Sequence, residues 1–179
     1  MYNVYLSGFV GNLGTKYILE KNRVELLKHF SVSYIDKVLK DLKKSIDIGG
    51  LYPLLDCPKI DIEPVIKGGF LAALWKVCDR NNFGLKYSLS EVKLLQGTIE
   101  ISNYYNINPY RLLTENSYIV ILDEQISIND KIIYGYYNGD INMPFTKIGE
   151  IVEGKKRVRI DSETESFLIK DYKDEIDKI

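Results

Sequence analysis

One stretch decides the fold: Val65-Ile66-Lys67-Gly68-Gly69-Phe70-Leu71-Ala72-Ala73-Leu74-Trp75-Lys76-Val77-Cys78-Asp79-Arg80. A short run that favours β-structure meets two glycines, and an amphipathic helix follows at once. Phe70, Leu74 and Val77 lie on one apolar stripe of that helix, and further apolar side chains widen it. So wide an apolar face predicts a helix buried against a sheet.

The two glycines also make this turn the main candidate for a binding site. A helix that begins on glycine offers backbone N–H groups and the positive end of its dipole. A phosphate or carboxylate can approach such an end closely because no side chain blocks it. We therefore name Lys67, Gly68 and Gly69 as candidate ligand-binding residues. A plain tight turn from strand to core helix explains the same residues, and from the residues alone we favour it.

Composition limits the classes of protein to consider. The chain has 179 residues, of which 45% are hydrophobic, and this predicts a single domain over residues 1–179. Its 24 basic and 25 acidic residues leave a net charge of −1, too little to attract nucleic acid. Apolar runs are shorter than a membrane span, and the two cysteines, Cys57 and Cys78, form no CxxC pair. We expect a cytoplasmic protein with reduced thiols, bound to neither nucleic acid nor membrane.

No catalytic or metal-binding constellation is recognisable. The single histidine, His29, argues against a histidine-rich metal site and against a Ser-His-Asp triad. Gly8, Gly11 and Gly14 precede Thr15-Lys16 but match neither the Walker spacing nor the dinucleotide-binding fingerprint. We therefore predict no catalytic residue and no metal ligand.

Periodicity predicts an α+β domain with a mixed sheet. Helices are expected over residues 15–30, from Ser33, from Gly68 to a left-handed stop at Gly84, and from Thr98. Strands are expected at residues 2–6, 59–63, 85–89, 117–122 and 167–169, with 59–63 at an edge and 117–122 buried and central. Residues 147–152 and 157–160 predict a hairpin whose basic side chains are solvated: Lys155, Lys156, Arg157 and Arg159.

Several short motifs occur in a recognisable order. They are Gly11-Asn12-Leu13-Gly14-Thr15, Gly68-Gly69-Phe70-Leu71-Ala72-Ala73-Leu74-Trp75, Thr98-Ile99-Glu100-Ile101, Ile107-Asn108-Pro109-Tyr110-Arg111-Leu112-Leu113, Thr146-Lys147-Ile148-Gly149-Glu150-Ile151 and Asp174-Glu175-Ile176. In order and spacing the chain resembles the C-terminal domain of the aminoimidazole ribonucleotide (AIR) synthase superfamily, closest to AIR-synthase-related and hydrogenase-maturation proteins. The resemblance implies a layered α/β/α domain with a mixed sheet. It also implies an N-terminal domain that carries most of the ATP site, binds magnesium and forms a dimer, with the active site between the two halves.

This chain departs from the family at the motif before the core helix. Where the family reads Met-His-Asp-Ile-Thr-Glu-Gly-Gly, residues 62–69 read Ile-Glu-Pro-Val-Ile-Lys-Gly-Gly, so only the glycines match. Lys67 replaces an acidic residue and reverses the local charge, which disfavours magnesium-nucleotide binding there. The N-terminal ATP-binding half is not part of the sequence. The cysteine that ends the hydrogenase-maturation dehydratases is also lacking, since the chain closes on Asp177-Lys178-Ile179, and we expect their thiocyanate chemistry to be unavailable.

Three functions remain open at this point. The first is a stand-alone, catalytically degenerate domain that acts by binding or assembly, for example as a homodimer. The second is one subunit of a split ATP-dependent synthase or dehydratase, in which a separate chain supplies the ATP-binding half; ATP and magnesium are expected only in that case. The third is a domain that binds a small anion or a nucleotide metabolite at Lys67, Gly68 and Gly69.

Overall fold

The structure is a computed structural model, and it describes residues 1–47, 61–125, 134–135, 143–163, 166–170 and 173–179. Cys57 and the first two residues of the edge strand predicted at 59–63 lie outside these ranges. No helix among the described residues is long and apolar enough to cross a membrane.

In the described residues, three helices follow the first strand, and five strands follow the last α-helix. The strands are β1 (Tyr2–Ser7), β2 (Asp61–Pro64), β3 (Gly84–Tyr87), β4 (Tyr118–Asp123), β5 (Tyr134–Gly135), β6 (Met143–Val152), β7 (Arg157–Arg159) and β8 (Ser166–Phe167). The α-helices are α1 (Asn12–Lys21), α2 (Arg23–Leu26), α3 (Val32–Asp47), α4 (Gly69–Arg80) and α5 (Gln96–Tyr104). Short 3₁₀ turns cover Pro109–Arg111 and Glu175–Lys178.

The strands form one mixed sheet in the order β2-β4-β1-β6-β3-β7-β8, and β5 pairs with β6. The pairing of β3 with β7 is parallel, whereas the other described pairs are antiparallel. This confirms the predicted α+β class and the mixed sheet. The edge strand β2 and the buried strand β4 also lie where the sequence places them, although β4 is next to the edge rather than central.

The predicted hairpin of residues 147–152 and 157–160 is wrong, because β3 lies between its two strands. Leu85 pairs with Ile151 on one side and with Arg157 on the other. The chain can close in this way because Gly84 has no side chain. A Cβ there would lie 2.9 Å from the carbonyl oxygens of both Val152 and Gly154. Local alternation identifies two strands but not which strand separates them.

Helix α4 packs on the sheet as its apolar face predicts. Phe70, Leu74 and Val77 are fully buried in one cluster with the strand residues Leu6 and Ile119. Cys78 belongs to the same cluster, and burial raises the pKa of its thiol to about 11. A second cluster joins α1, α3 and α5, and it contains Ile18, Leu19, Leu26, Ile35, Val38, Leu42, Ile101, Ile107 and Leu112.

Several predicted helix boundaries need correction. The helix predicted over residues 15–30 is two helices, α1 and α2, and Val24 of α2 is 81% exposed rather than packed. Helix α3 is capped by Ser31, whose hydroxyl accepts from the Tyr34 N–H, and not by Ser33. Two serines lie at the start of this helix, and the hydroxyl of the earlier one, Ser31, makes the capping hydrogen bond.

The predicted end of α4 and the predicted start of α5 also need correction. After α4 the left-handed residue is Asn82 (φ 56°), while Gly84 already begins β3. Thr98 lies inside α5 and does not cap it. Its buried hydroxyl instead accepts a hydrogen bond from Thr15 of α1, 3.2 Å away, and so ties the two helices together.

Candidate functional site

The turn before α4 is built on backbone that only glycine adopts easily. Gly68 and Gly69 have φ angles of 86° and 68°, and the Gly69 N–H donates to the Ile66 carbonyl at 2.9 Å. A Cβ on Gly69 would lie 2.6 Å from the Tyr110 carbonyl oxygen and 2.7 Å from the carbonyl carbon of Arg111. The start of α4 is therefore held tightly against the 3₁₀ turn at Pro109–Arg111.

A carboxylate of the chain itself lies at this turn. The Gly68 N–H donates to Oδ2 of Asp174 at 2.7 Å. The N–H groups of Leu113 and Ile176 donate to Oδ1 of the same side chain, each at 3.1 Å. Asp174 is only 2% exposed, so these charge-assisted bonds are shielded from water. The glycine turn binds an anionic group, and that group belongs to residue 174.

Glu175 follows Asp174 and is also buried, at 1% exposure. Its Oε1 lies 3.6 Å from Nη1 of Arg111, and its Oε2 lies 2.6 Å from Nζ of Lys178. A buried carboxylate is costly unless cations or donors compensate for its lost hydration. Arg111 and Lys178 supply that compensation, so a second acid of the same segment is fixed beside α4.

Lys67 contributes a weaker contact. Its Nζ lies 3.7 Å from Oδ1 of Asp177, and the two side chains are 69% and 55% exposed. Exposed ion pairs of this kind contribute little to stability. We call residues 173–179 the acidic segment. Each of its acids, Asp174, Glu175 and Asp177, meets a donor or cation at or beside the start of α4.

Sequence reasoning found only half of this site. It named Lys67, Gly68 and Gly69, and their ligand-binding role stays a prediction. It did not predict that Asp174, Glu175 and Arg111 contribute to the site, because the sequence analysis names these residues only within the motifs that carry the family resemblance. No local signal links Asp174 to Gly68, since 106 residues separate them.

Glu63, which belongs to the altered motif before α4, is held by the end of the same helix. Nη1 of Arg80 lies 2.7 Å from Oε2 of Glu63, and Nη2 lies 2.7 Å from Oδ2 of Asp61. Partial burial tends to raise the pKa of Asp61, but hydrogen bonds from Arg80 and Asn81 outweigh it and lower that pKa overall. These acids therefore fasten β2 to α4.

A concavity of about 550 Å³ lies along the exposed side of α4. Its walls carry both signs of charge and include Glu63, Lys67, Trp75, Lys76, Asp79, Arg80 and Lys170.

The Trp75 ring also stacks under the Arg157 guanidinium, 4.1 Å from the ring centroid. Arg157 is only 7% exposed, so the prediction that the basic cluster at 155–159 is fully solvated is wrong for this residue. Asp79, 3.5 Å away, and Trp75 hold it instead.

A second depression, of about 460 Å³, lies over β3 and β6 and includes Asp161. Partial burial tends to raise the pKa of Asp161, but the Arg159 guanidinium at 2.6 Å and the Ser90 N–H at 2.7 Å lower it to about 2. This network closes the loop after β7 onto the loop after β3.

Elsewhere, His29 lies on the exposed surface, its ring 5.0 Å from that of Tyr104. Within the described ranges, no three His, Cys, Asp or Glu side chains are grouped so that they could hold a metal ion.

Comparison with solved structures identifies the fold. HypE from E. coli superposes on 97% of this chain and 51% of its own, with a TM-score of 0.70 and 14% identity. HypE in a HypE–HypF complex covers 94% of this chain and 52% of its own, at a TM-score of 0.62 and 14% identity. Thiamine monophosphate kinase from Aquifex aeolicus covers 89% of this chain and 50% of its own, at a TM-score of 0.57 and 16% identity.

No family model and no curated protein matches the sequence. At such low identity the structural likeness establishes the fold alone: this chain has the AIR-synthase-like fold, as the resemblance implied. The chain spans about half the length of these solved structures.

Proposed function

We propose that this domain acts by binding and assembly, as one half of a two-part AIR-synthase-like unit, and that it performs no catalysis alone. One observation carries the proposal: the fold fills 97% of this chain but only 51% of E. coli HypE. The complementary half is supplied by a second polypeptide or by another part of a longer one, and the alternative form of assembly is a pair of identical domains. The HypE–HypF complex supports the idea that such proteins work in contact with others.

The chemistry at the start of α4 supports a role without catalysis. The fold family implies ATP and magnesium, and the residues present do not fit a magnesium ion. Mg²⁺ requires oxygen ligands, whereas Lys67 is cationic and Glu63 is engaged by Arg80 at 2.7 Å. The carboxylate of Asp174, which lies at the same turn, already accepts three backbone N–H groups, and that of Asp177 pairs with Lys67. We therefore assign no reaction step to these residues.

Two measurements test the proposal. The first is size-exclusion chromatography with light scattering over a range of protein concentrations, for the chain alone and mixed with a purified candidate half. We expect a dimer or a stoichiometric complex. The second is ATP hydrolysis by the chain alone, which we expect not to exceed the buffer rate. A strict monomer that binds no complementary half, or turnover by the isolated chain, would refute the proposal.

Anion binding at Lys67, Gly68 and Gly69 is a second candidate, and the position of Asp174 favours it. The N–H groups of Gly68 and Leu113 already hold a carboxylate at 2.7 and 3.1 Å, so their geometry suits an oxyanion. An external ligand must displace Asp174, which weakens its apparent affinity. A thermal-shift titration with inorganic phosphate and with ATP tests this, because a ligand that binds only the folded state raises apparent stability. No shift at millimolar concentrations would exclude this candidate.

A further inference from the structure

The concavity along the exposed side of α4, which we call the α4 groove, carries more positive than negative charge. The ionisable side chains on its walls are the cationic Lys67, Lys76, Arg80 and Lys170 and the acidic Glu63 and Asp79. Its volume of about 550 Å³ falls in the range of small-molecule sites, about 300–1,000 Å³. The groove is therefore large enough for a ligand with several charged groups.

Both acids on these walls are already paired with guanidinium groups. Oε2 of Glu63 lies 2.7 Å from Nη1 of Arg80, and Oδ1 of Asp79 lies 3.5 Å from Nη2 of Arg157. Nη2 of Arg80 lies 2.7 Å from Oδ2 of Asp61, which is outside the groove lining. The acids and Arg80 thus balance one another, and the three lysines carry the remaining charge of the groove.

These lysines have little compensation from the chain itself. Nζ of Lys67 approaches Oδ1 of Asp177 only to 3.7 Å, and both side chains are exposed. Within the described ranges, Lys76 and Lys170 form no ion pair. Ammonium groups that line one groove repel one another, and an anion placed between them replaces that repulsion with attraction.

We propose that the α4 groove binds a small polyanion, a molecule with at least two phosphoryl or carboxyl groups, through Lys67, Lys76 and Lys170. More than one negative group is needed because a single exposed ion pair contributes little, whereas a ligand that reaches several ammonium groups adds their contributions. This site goes beyond the proposed assembly function. It also does not depend on the Gly68 N–H, which Asp174 occupies at 2.7 Å.

Trp75 makes the binding directly measurable, because it lines the groove and is the single tryptophan of the chain. Its ring is held in place under the Arg157 guanidinium, 4.1 Å from the ring centroid. The experiment is a fluorescence titration of the full chain with tripolyphosphate and, separately, with citrate, with sodium chloride keeping the ionic strength constant. We expect a saturable change in emission, and the probe that binds more tightly shows whether phosphoryl or carboxyl groups are preferred.

A pair of matched double variants locates the bound anion. Lys76→Gln/Lys170→Gln should weaken binding about tenfold, because each exposed ion pair accounts for about threefold. Lys40→Gln/Lys43→Gln removes the same charge from exposed positions of α3 that do not line the groove. This control should keep the affinity of the unmodified chain within about twofold, since screening by salt weakens distant charges.

Three results would overturn the proposal. One is no saturable response to either probe up to about 10 mM, both in fluorescence and in isothermal titration calorimetry of the same samples. Another is equal weakening by the two double variants, which indicates an effect of net charge. The third is binding that Lys76→Gln/Lys170→Gln leaves unchanged, which assigns the anion to the glycine turn. None of these results bears on assembly, which light scattering tests separately.

Discussion

Replacing Asp174 with asparagine tests whether the acidic segment is essential to the start of α4. The substitution keeps the shape of the side chain and one oxygen, which can still accept from Leu113 and Ile176. Its amide nitrogen then faces the Gly68 N–H, where Oδ2 accepted a bond of 2.7 Å. The variant therefore loses one charge-assisted bond and leaves a buried donor without an acceptor.

The loss of stability can be estimated from the missing charge-assisted bond and from the buried N–H that is left without an acceptor. A hydrogen bond to a charged group contributes about 1.5–3 kcal/mol, and an unsatisfied buried donor costs about 1–3 kcal/mol. The terms overlap, since both describe the same N–H, so we expect Asp174→Asn to lower the free energy of unfolding by about 2–4 kcal/mol. For a chain of this size each kcal/mol corresponds to about 2–4 °C in the midpoint of thermal unfolding.

Urea unfolding followed by circular dichroism measures the change, with Asp177→Asn as the matched control. Asp177 lies in the same segment but is 55% exposed, so its substitution should change stability by less than about 0.5 kcal/mol. Equal effects of the two substitutions, or an Asp174→Asn variant as stable as the unmodified chain, would refute the account of the buried carboxylate.

Three further predictions concern the rest of the fold. Gly69→Ala should cost about 2–5 kcal/mol in urea unfolding, because its Cβ would lie 2.6 Å from the Tyr110 carbonyl oxygen at a φ of 68°. Gly154→Ala, with a φ of 86° and open space around it, should cost only about 1–2 kcal/mol, and equal costs would contradict the role of packing. The lowered pKa of Asp161, about 2, contributes stability that is fully present above its unfolded value near pH 4 and is lost as pH falls towards 2. Asp161→Asn should remove that acid dependence in unfolding measured from pH 5 to 2, with a screened contribution of about 1 kcal/mol or less. Cys78, buried and with a pKa of about 11, should react with a thiol reagent at pH 8 only in denaturant, and rapid labelling of the native chain would contradict this.

Sequence reasoning succeeded where a local pattern determines the structure. The apolar stripe of α4 has a period that only a buried helix satisfies, so Phe70 and Leu74 could be placed in the core. The continuous apolar run of β4 similarly predicts a strand buried on both faces. In both cases the residues that decide the outcome are neighbours in sequence.

It failed where distant segments determine the structure. The insertion of β3 between β6 and β7 depends on strand order, about which alternation within each strand says nothing. The pairing of Gly68 with Asp174 depends on a closure over 106 residues, and isolated acids near a chain end ordinarily read as solvated. The candidate site combines a local half, which could be predicted, with a remote half, which could not.

Each of the two positions at the start of α4 requires glycine for a different structural reason, and neither reason involves a ligand. Gly69 is needed because the backbone of residues 110–111 occupies the space of a Cβ, while Gly68 adopts a φ of 86° and directs its N–H to Asp174. Glycine at both positions is therefore explained even though the neighbouring acidic residue of the family motif has become Lys67. An external anion at this turn must compete with the buried carboxylate of Asp174, which already accepts the Gly68 N–H at 2.7 Å. Binding there consequently requires either a ligand with additional contacts or release of the acidic segment.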